Sequence, residues 1–182
     1  MGRHKRKDIE VEARSFIFPK EFKRLAEFFN RKAKFEKEIT DETVYFSGPK
    51  DLRIRRDAKN AYLILKEGKI HDKYRREREI VLKRADFGKL EDFLKALGFK
   101  VEIRWQRERR IYYWQGVKVF LDDTKGYGRI IELEKISRVE DKEKVYAGLV
   151  EMLKFLNVKI TPKAEFDQKF EDYKKNWRKL LS

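Results

Sequence analysis

Two short stretches carry acidic residues at a spacing that could hold a metal ion. In Asp8-Ile-Glu-Val-Glu-Ala-Arg14, Glu10, Glu12 and Arg14 alternate with Ile9, Val11 and Ala13. Strand side chains alternate with period two, so the charged set shares one face and the apolar set the other. The same pattern returns in Arg129-Ile-Ile-Glu-Leu-Glu-Lys135, where Glu132 and Glu134 oppose Ile131 and Leu133. Paired in one sheet, these strands would direct four carboxylates into one space, and that much negative charge needs cations. A solvated sheet face is the competing explanation for each stretch taken alone.

Further charged residues fall on other extended runs. Glu77, Glu79 and Asp122 add carboxylates, and Arg14, Arg53, Arg55, Lys66, Arg107, Arg109 and Lys118 add cations. The first group could hold one or two hard divalent ions and the second could grip phosphate oxygens. A triphosphate with bound metal suits such a mixture, because guanidinium forks hold oxygen atoms and metal spreads the charge that develops in phosphoryl transfer.

Composition narrows the choice. The 182 residues include 47 Lys plus Arg against 32 Asp plus Glu, a net charge of +15, so polyanions are the expected partners. Almost all of that excess lies in residues 1–138. With no cysteine, disulfides and thiolate-bound zinc are excluded. The two histidines, His4 and His71, are far apart and are expected at the surface without a metal role. Oxygen ligands then favour Mg²⁺, Mn²⁺ or Ca²⁺. No apolar run of membrane-spanning length occurs, and the basic start Gly2–Lys7 leads into no signal-type apolar core, so a soluble, cytoplasmic protein is expected. The Lys, Arg and Glu load matches that of heat-adapted proteins.

The elements that must position these residues follow from periodicity. Strands are expected over about 8–18, 39–47, 52–56, 61–66, 72–83, 101–113, 117–122 and 128–137. Helices are expected over about 19–37, with Phe22, Leu25, Phe29 and Ala33 on one face, and 86–97, with Asp86 as cap, Leu90, Phe93, Leu94 and Leu97 as stripe, and Gly98 past the end. The order strand, helix, three strands thus occurs twice, an internal repeat of about 65 residues. Eight antiparallel strands can close and lose their edges. Since the apolar strand faces need helices over them, the expected fold is α+β: an eight-stranded closed barrel over residues 8–137 with helices outside and charge lining a wet tunnel. Strand six is ambiguous, with Arg104, Arg107, Arg109 and Arg110 on both faces. Helices over about 140–156 and 162–181, with Phe166, Phe170, Tyr173 and Trp177 in a stripe, are expected to pack on the barrel or close one mouth, completing one domain over 1–182.

These segments resemble the CYTH superfamily, the triphosphate tunnel metalloenzymes, over residues 8 to about 137. Glu10-Val-Glu-Ala-Arg14 is similar to the family's Glu-x-Glu-x-Lys, Leu52-Arg-Ile-Arg55 to its Leu-Arg-Ile-Arg, and Tyr62-Leu-Ile-Leu-Lys66 to its Tyr-Leu-Thr-x-Lys. Arg76-Glu-Arg-Glu79 resembles the strand-five Arg-x-Glu segment, its register left open. Arg107-Glu-Arg-Arg-Ile-Tyr112 resembles Lys-x-Arg-x-x-Tyr, and Val119–Asp122, Gly126-Tyr-Gly128 and Ile131–Glu134 resemble the closing Leu-Asp, Leu-Gly and Glu-x-Glu. The resemblance implies Mg²⁺ or Mn²⁺ on Glu10, Glu12, Asp122, Glu132 and Glu134. It also implies a triphosphate held by Arg14, Arg53, Arg55, Lys66, Arg107, Arg109 and Lys118, and catalysis centred on Glu10, Glu12, Arg14 and Lys66. Roles for Glu77 and Glu79 stay open. Arg14 and Arg107 stand where the family has lysine, and Tyr127 where it has leucine. Arginine keeps the charge but cannot shuttle a proton at neutral pH.

Three functions are open at this point. One is a divalent-metal-dependent hydrolase of inorganic, nucleoside or thiamine triphosphates. Another is a class IV adenylyl cyclase making cyclic AMP and pyrophosphate. The third is a basic polyphosphate or RNA binder without turnover, the less favoured partner class, in which Trp105 and Trp114 could stack on bases. No membrane partner is expected, and the oligomeric state is open, a homodimer being one arrangement.

Overall fold

A computed structural model describes residues 8–67 and 72–182; His4, His71 and the basic start lie outside these. The elements are β1 (Asp8–Ile17), α1 (Pro19–Lys32), β2 (Lys34–Phe46), β3 (Asp51–Arg56), β4 (Asn60–Glu67), β5 (Tyr74–Lys83), α2 (Phe87–Ala96), β6 (Val101–Trp114), β7 (Val117–Thr124), β8 (Gly128–Arg138), α3 (Lys142–Phe155) and α4 (Lys163–Leu181). Pro19 opens α1, as its preset φ and missing N–H allow, and the Phe18 amide donates to the Glu21 carboxylate at 2.8 Å. Residues 33–37 were expected to continue α1, yet Ala33 is extended and β2 begins at Lys34. The ladder to β6 overrides local helix propensity here: Lys34 pairs with Tyr113, and Phe35 packs on the Tyr112 ring at 5.5 Å. Asp86 forms no side-chain cap on α2, which follows a short 3₁₀ turn over Arg84–Asp86, whereas Gly98 takes the positive φ that its position after the helix requires. Gln115 and Gly116, both at positive φ, make the two-residue turn between β6 and β7.

The eight strands are hydrogen-bonded in a ring, β1-β5-β4-β3-β2-β6-β7-β8, with every neighbouring pair antiparallel. The order has the symmetry of the repeat. Each half supplies one strand after which a helix crosses over and then a three-strand meander, and β1 and β5 meet at one seam while β2 and β6 meet at the other.

The apolar core lies outside the ring. Val11, Ala13, Leu121, Ile131 and Leu133 are buried beneath Leu25 and Phe29 of α1 and Leu149 and Leu153 of α3. A second cluster sets Val44, Ile54 and Ala61 beneath Phe87 and Leu94 of α2. Two residues of the expected α2 stripe, Phe93 and Leu97, are instead mostly exposed. The ten-residue helix lies on the barrel along a narrower line through Phe87, Leu90 and Leu94. Removing the fully buried Phe29 ring should cost about 3–5 kcal/mol, and urea unfolding of Phe29→Ala measures it.

The last helix closes one end. Phe166, Phe170 and Tyr173 of α4 pack against Tyr45, Ile103, Trp105, Tyr127 and Ile130, and the Tyr173 hydroxyl donates to the Arg104 carbonyl at 2.9 Å. The expected aromatic stripe is therefore core, and it stops one mouth of the barrel. Trp114 packs outside the wall on Phe28, Phe29 and Phe155. No described helix is long and apolar enough to cross a membrane.

Candidate active site

Inside the ring is a cavity of about 360 Å³, the size range of small-molecule sites. The period-two alternation turns inward Glu10, Glu12, Arg14, Arg53, Arg55, Lys66, Arg107, Arg109, Lys118, Asp122, Glu132 and Glu134, so each candidate residue from the sequence lines it, as do Glu77 and Glu79. On β6 the ambiguity is resolved: Arg107 and Arg109 face inward, whereas Arg104 bonds Glu91 and Arg110 bonds Glu38 on the outside. Arg75, not Arg76, is the inward arginine of β5.

Ladder register arranges the groups in tiers. Across β1 and β8, Arg14 faces Glu132 and Glu12 faces Glu134. Arg109 lies beside Asp122 across β6 and β7, and Lys118 lies beside Glu134 across β7 and β8. Toward the end stopped by α4 stand Tyr45, Trp105, Tyr127 and Ile130. Lys37, Glu79 and Lys118 lie toward the other mouth.

Most of the charges are paired. Arg109 grips Asp122 through two 2.6 Å bonds, and Arg107 reaches the same carboxylate at 3.3 Å and Asp41 at 2.7 Å. Arg75 joins Glu12 at 2.8 Å to Asp51 at 3.0 Å, and Asp51 also bonds Arg53. Lys66 lies 2.7 Å from both Glu10 and Glu77, and Arg55 lies 3.1 Å from Glu79. Burial would raise the Glu12 carboxyl, but Arg14, Arg75 and Lys66 outweigh it and hold the group at about 2. The Asp122 carboxyl is likewise held low, against burial, by Arg109 and Arg107.

Glu132 and Glu134 behave in the opposite way. Among the described residues neither forms a hydrogen bond or ion pair. Burial, then Glu10 and Glu132, push the Glu134 carboxyl up to about 8; burial and Glu12 raise that of Glu132. Like carboxylates directly across a ladder destabilise it, and Glu12 opposite Glu134 is such a pair.

Among the described residues no three carboxylates or histidines already converge as a ready-made ion cage. The donor set nevertheless fits a hard divalent cation: its ligands are carboxylate oxygens, and two of them, Glu132 and Glu134, keep raised carboxyls despite nearby cations and form no ion pair among the described residues.

Several lumenal residues escaped the sequence reading. Arg75 shares parity with Glu77 and Glu79, and that alternation was the available signal. Asp41, which pairs with Arg107 from the middle of β2, shares parity with Thr43 and Tyr45, whereas Asp51, the partner of Arg75, opens β3 just outside the strand expected over 52–56.

A family model described as the CYTH domain matches residues 8–170. A Methanocaldococcus jannaschii protein, provisionally named an adenylate cyclase, is 34% identical over 134 residues, covering 69% of this chain and 77% of that one. A conserved Pyrococcus furiosus protein of unassigned activity superposes with a TM-score of 0.70 at 30% identity, over 82% of this chain and 91% of that one. A protein from Hippeastrum, provisionally named an adenylyl cyclase and described as having a dominant triphosphatase activity, shares the fold with a TM-score of 0.58 at 18% identity, over 83% of this chain and 88% of that one. With its inward-facing charges, its eight-strand ring and these matches, the chain belongs to the CYTH domain family.

Proposed function

We propose that this chain hydrolyses the terminal phosphoryl group of a triphosphate inside the barrel, with Mg²⁺ or Mn²⁺ bound. The observation that carries the reading is the opposition, across one cavity, of a guanidinium set and a carboxylate pair that forms no ion pair among the described residues. Arg53, Arg55, Arg107 and Arg109, with Arg14, Lys66 and Lys118, neutralise and align the phosphate chain. Arginine forks match its oxygen geometry, and their positive charge persists at any working pH. Asp41, Asp51 and Asp122 pin Arg107, Arg53 and Arg109 in place, so little reorganisation accompanies binding. Glu132 and Glu134, with Glu10 and Glu12, would hold the ion; Asp122 is taken up by Arg109 and Arg107. When bound, the ion supplies Lewis-acid stabilisation of phosphoryl oxygens and lowers the pKa of a water nucleophile. In the reaction, an oxygen–phosphorus bond to water replaces the bridging bond, and the bridging oxygen leaves with its electron pair, giving orthophosphate and a diphosphate. The triphosphatase activity described for the Hippeastrum relative supports this choice.

The cyclase name of the M. jannaschii relative supports a second reading, in which a ribose hydroxyl attacks the α-phosphate and expels pyrophosphate. Product analysis separates the two. Incubation with tripolyphosphate, ATP, GTP and thiamine triphosphate, with either ion, should release orthophosphate, and excess chelator should stop it. Cyclic AMP with pyrophosphate would favour the cyclase, and turnover unaffected by chelator would remove the metal from the account.

A further inference from the structure

The mechanism above leaves unused the end of the cavity that α4 stops. Its wall is aromatic, yet it presents hydrogen-bond donors without acceptors. Trp105 and Tyr127 are both more than nine-tenths buried and both line the cavity, and among the described residues neither the Trp105 Nε1 nor the Tyr127 hydroxyl has a partner. Beside them Arg14 Nη2 lies 3.5 Å from Glu12 without a hydrogen bond. The Tyr45 hydroxyl accepts from Arg53 at 2.8 Å, which leaves its own hydrogen to give. Burying such donors unsatisfied costs free energy, so their collection in one corner calls for an acceptor-rich guest.

We propose that this closed end receives the terminal phosphate of the chain, so that a triphosphate enters phosphate-first through the other mouth. The inference rests on the proposed triphosphate substrate. Three observations support a phosphate rather than an organic ring. The Trp105 indole is stacked against Tyr127 at 5.0 Å and covered by Tyr45 at 5.0 Å, so its faces are taken and only its N–H is on offer. Arg14 brings positive charge to bear on the Tyr127 hydroxyl, which an incoming anion would meet, while Tyr45 and Asp167 act on it in the opposite sense. Phe166 closes the corner, leaving any organic group to lie toward the open mouth.

Trp105→Phe and Tyr127→Phe remove one donor each and keep a ring in the packed corner. Trp177→Phe is the control: Trp177 also has a buried, unpartnered ring nitrogen, but it does not line the cavity. Steady-state KM and calorimetric titration would be measured with tripolyphosphate and with ATP. Each lumenal variant should weaken both ligands by about tenfold, the loss expected for one hydrogen bond to a charged group, while Trp177→Phe changes neither. Equal weakening of the two is the signature, since they share only the phosphate end. Affinities within twofold of the wild type in both lumenal variants would overturn the proposal. Weakening confined to ATP would do the same, because it would seat the base at the closed end. If the wild type turned over neither compound, the proposed function would fall, and the calorimetric comparison would still decide whether the closed end holds phosphate.

Discussion

At pH 8, in chelator, the Glu134→Gln protein should melt at a higher temperature than the wild type, and with Mg²⁺ restored it should lack at least ~99% of the proposed triphosphatase activity. Burial, with Glu10 and Glu132 adding to it, holds the Glu134 carboxyl at about 8 instead of 4.5, and Glu134 faces Glu12 across the β1–β8 ladder. Near and below pH 4.5 the group is protonated in both the folded and the unfolded chain, so it contributes nothing to the pH dependence. Between 4.5 and 8 the folded protein retains a proton that the unfolded chain has released, so stability falls as the pH rises, and the full penalty is reached above 8. The amide cannot ionise, so its advantage is absent near pH 4.5 and grows across that window. Discounted for partial solvent screening, the gain at pH 8 is on the order of 2 kcal/mol, or about 5 °C in Tm. Added Mn²⁺ should raise the wild-type Tm more at pH 8 than at pH 6, because ion and proton compete for the same oxygens, and should raise that of the variant much less. Equal melting of the two proteins across the whole pH range would show that the carboxylates are not in conflict.

Arg109→Ala should be the most damaging single change in the cavity. It removes both 2.6 Å bonds to Asp122 and leaves that buried carboxylate with the 3.3 Å contact from Arg107, whose closer partner is Asp41. Truncating one member of a buried pair strands the other charge, at a cost of about 3–5 kcal/mol by denaturant unfolding. It also removes a phosphate-facing guanidinium, so kcat/KM for tripolyphosphate should fall at least ~100-fold. Adding Asp122→Asn separates the two effects: the double variant should recover much of the stability, since no charge is left stranded, but none of the activity. Recovery of activity in the double variant would mean that Arg109 serves only to hold Asp122.

The inward-facing set was legible before any coordinates because strand geometry is local. Once Glu10 and Glu12 alternate with Ile9 and Val11, the pleat puts the carboxylates together, and the apolar partners Val11, Leu121 and Ile131 need a helical cover that only the outside of the barrel can provide. Where local and long-range preferences disagreed, the long-range one prevailed. Residues 34–37 read as helix by extension of the apolar spacing through Ala33 but join the β2–β6 ladder, and Phe93, on a helical stripe, stays in solvent because α2 is short.

From its residue order alone, then, this chain determined which side chains share a strand face and that the charged faces line an enclosed barrel, since alternation needs no knowledge of distant neighbours. Only the tertiary structure decided which cation meets which carboxylate, that Glu132 and Glu134 form no ion pair among the described residues, and that α4 stops the mouth bearing Trp105 and Tyr127. Those outcomes depend on ladder register and helix docking between segments far apart in the chain, where an offset of one residue turns a side chain from lumen to wall.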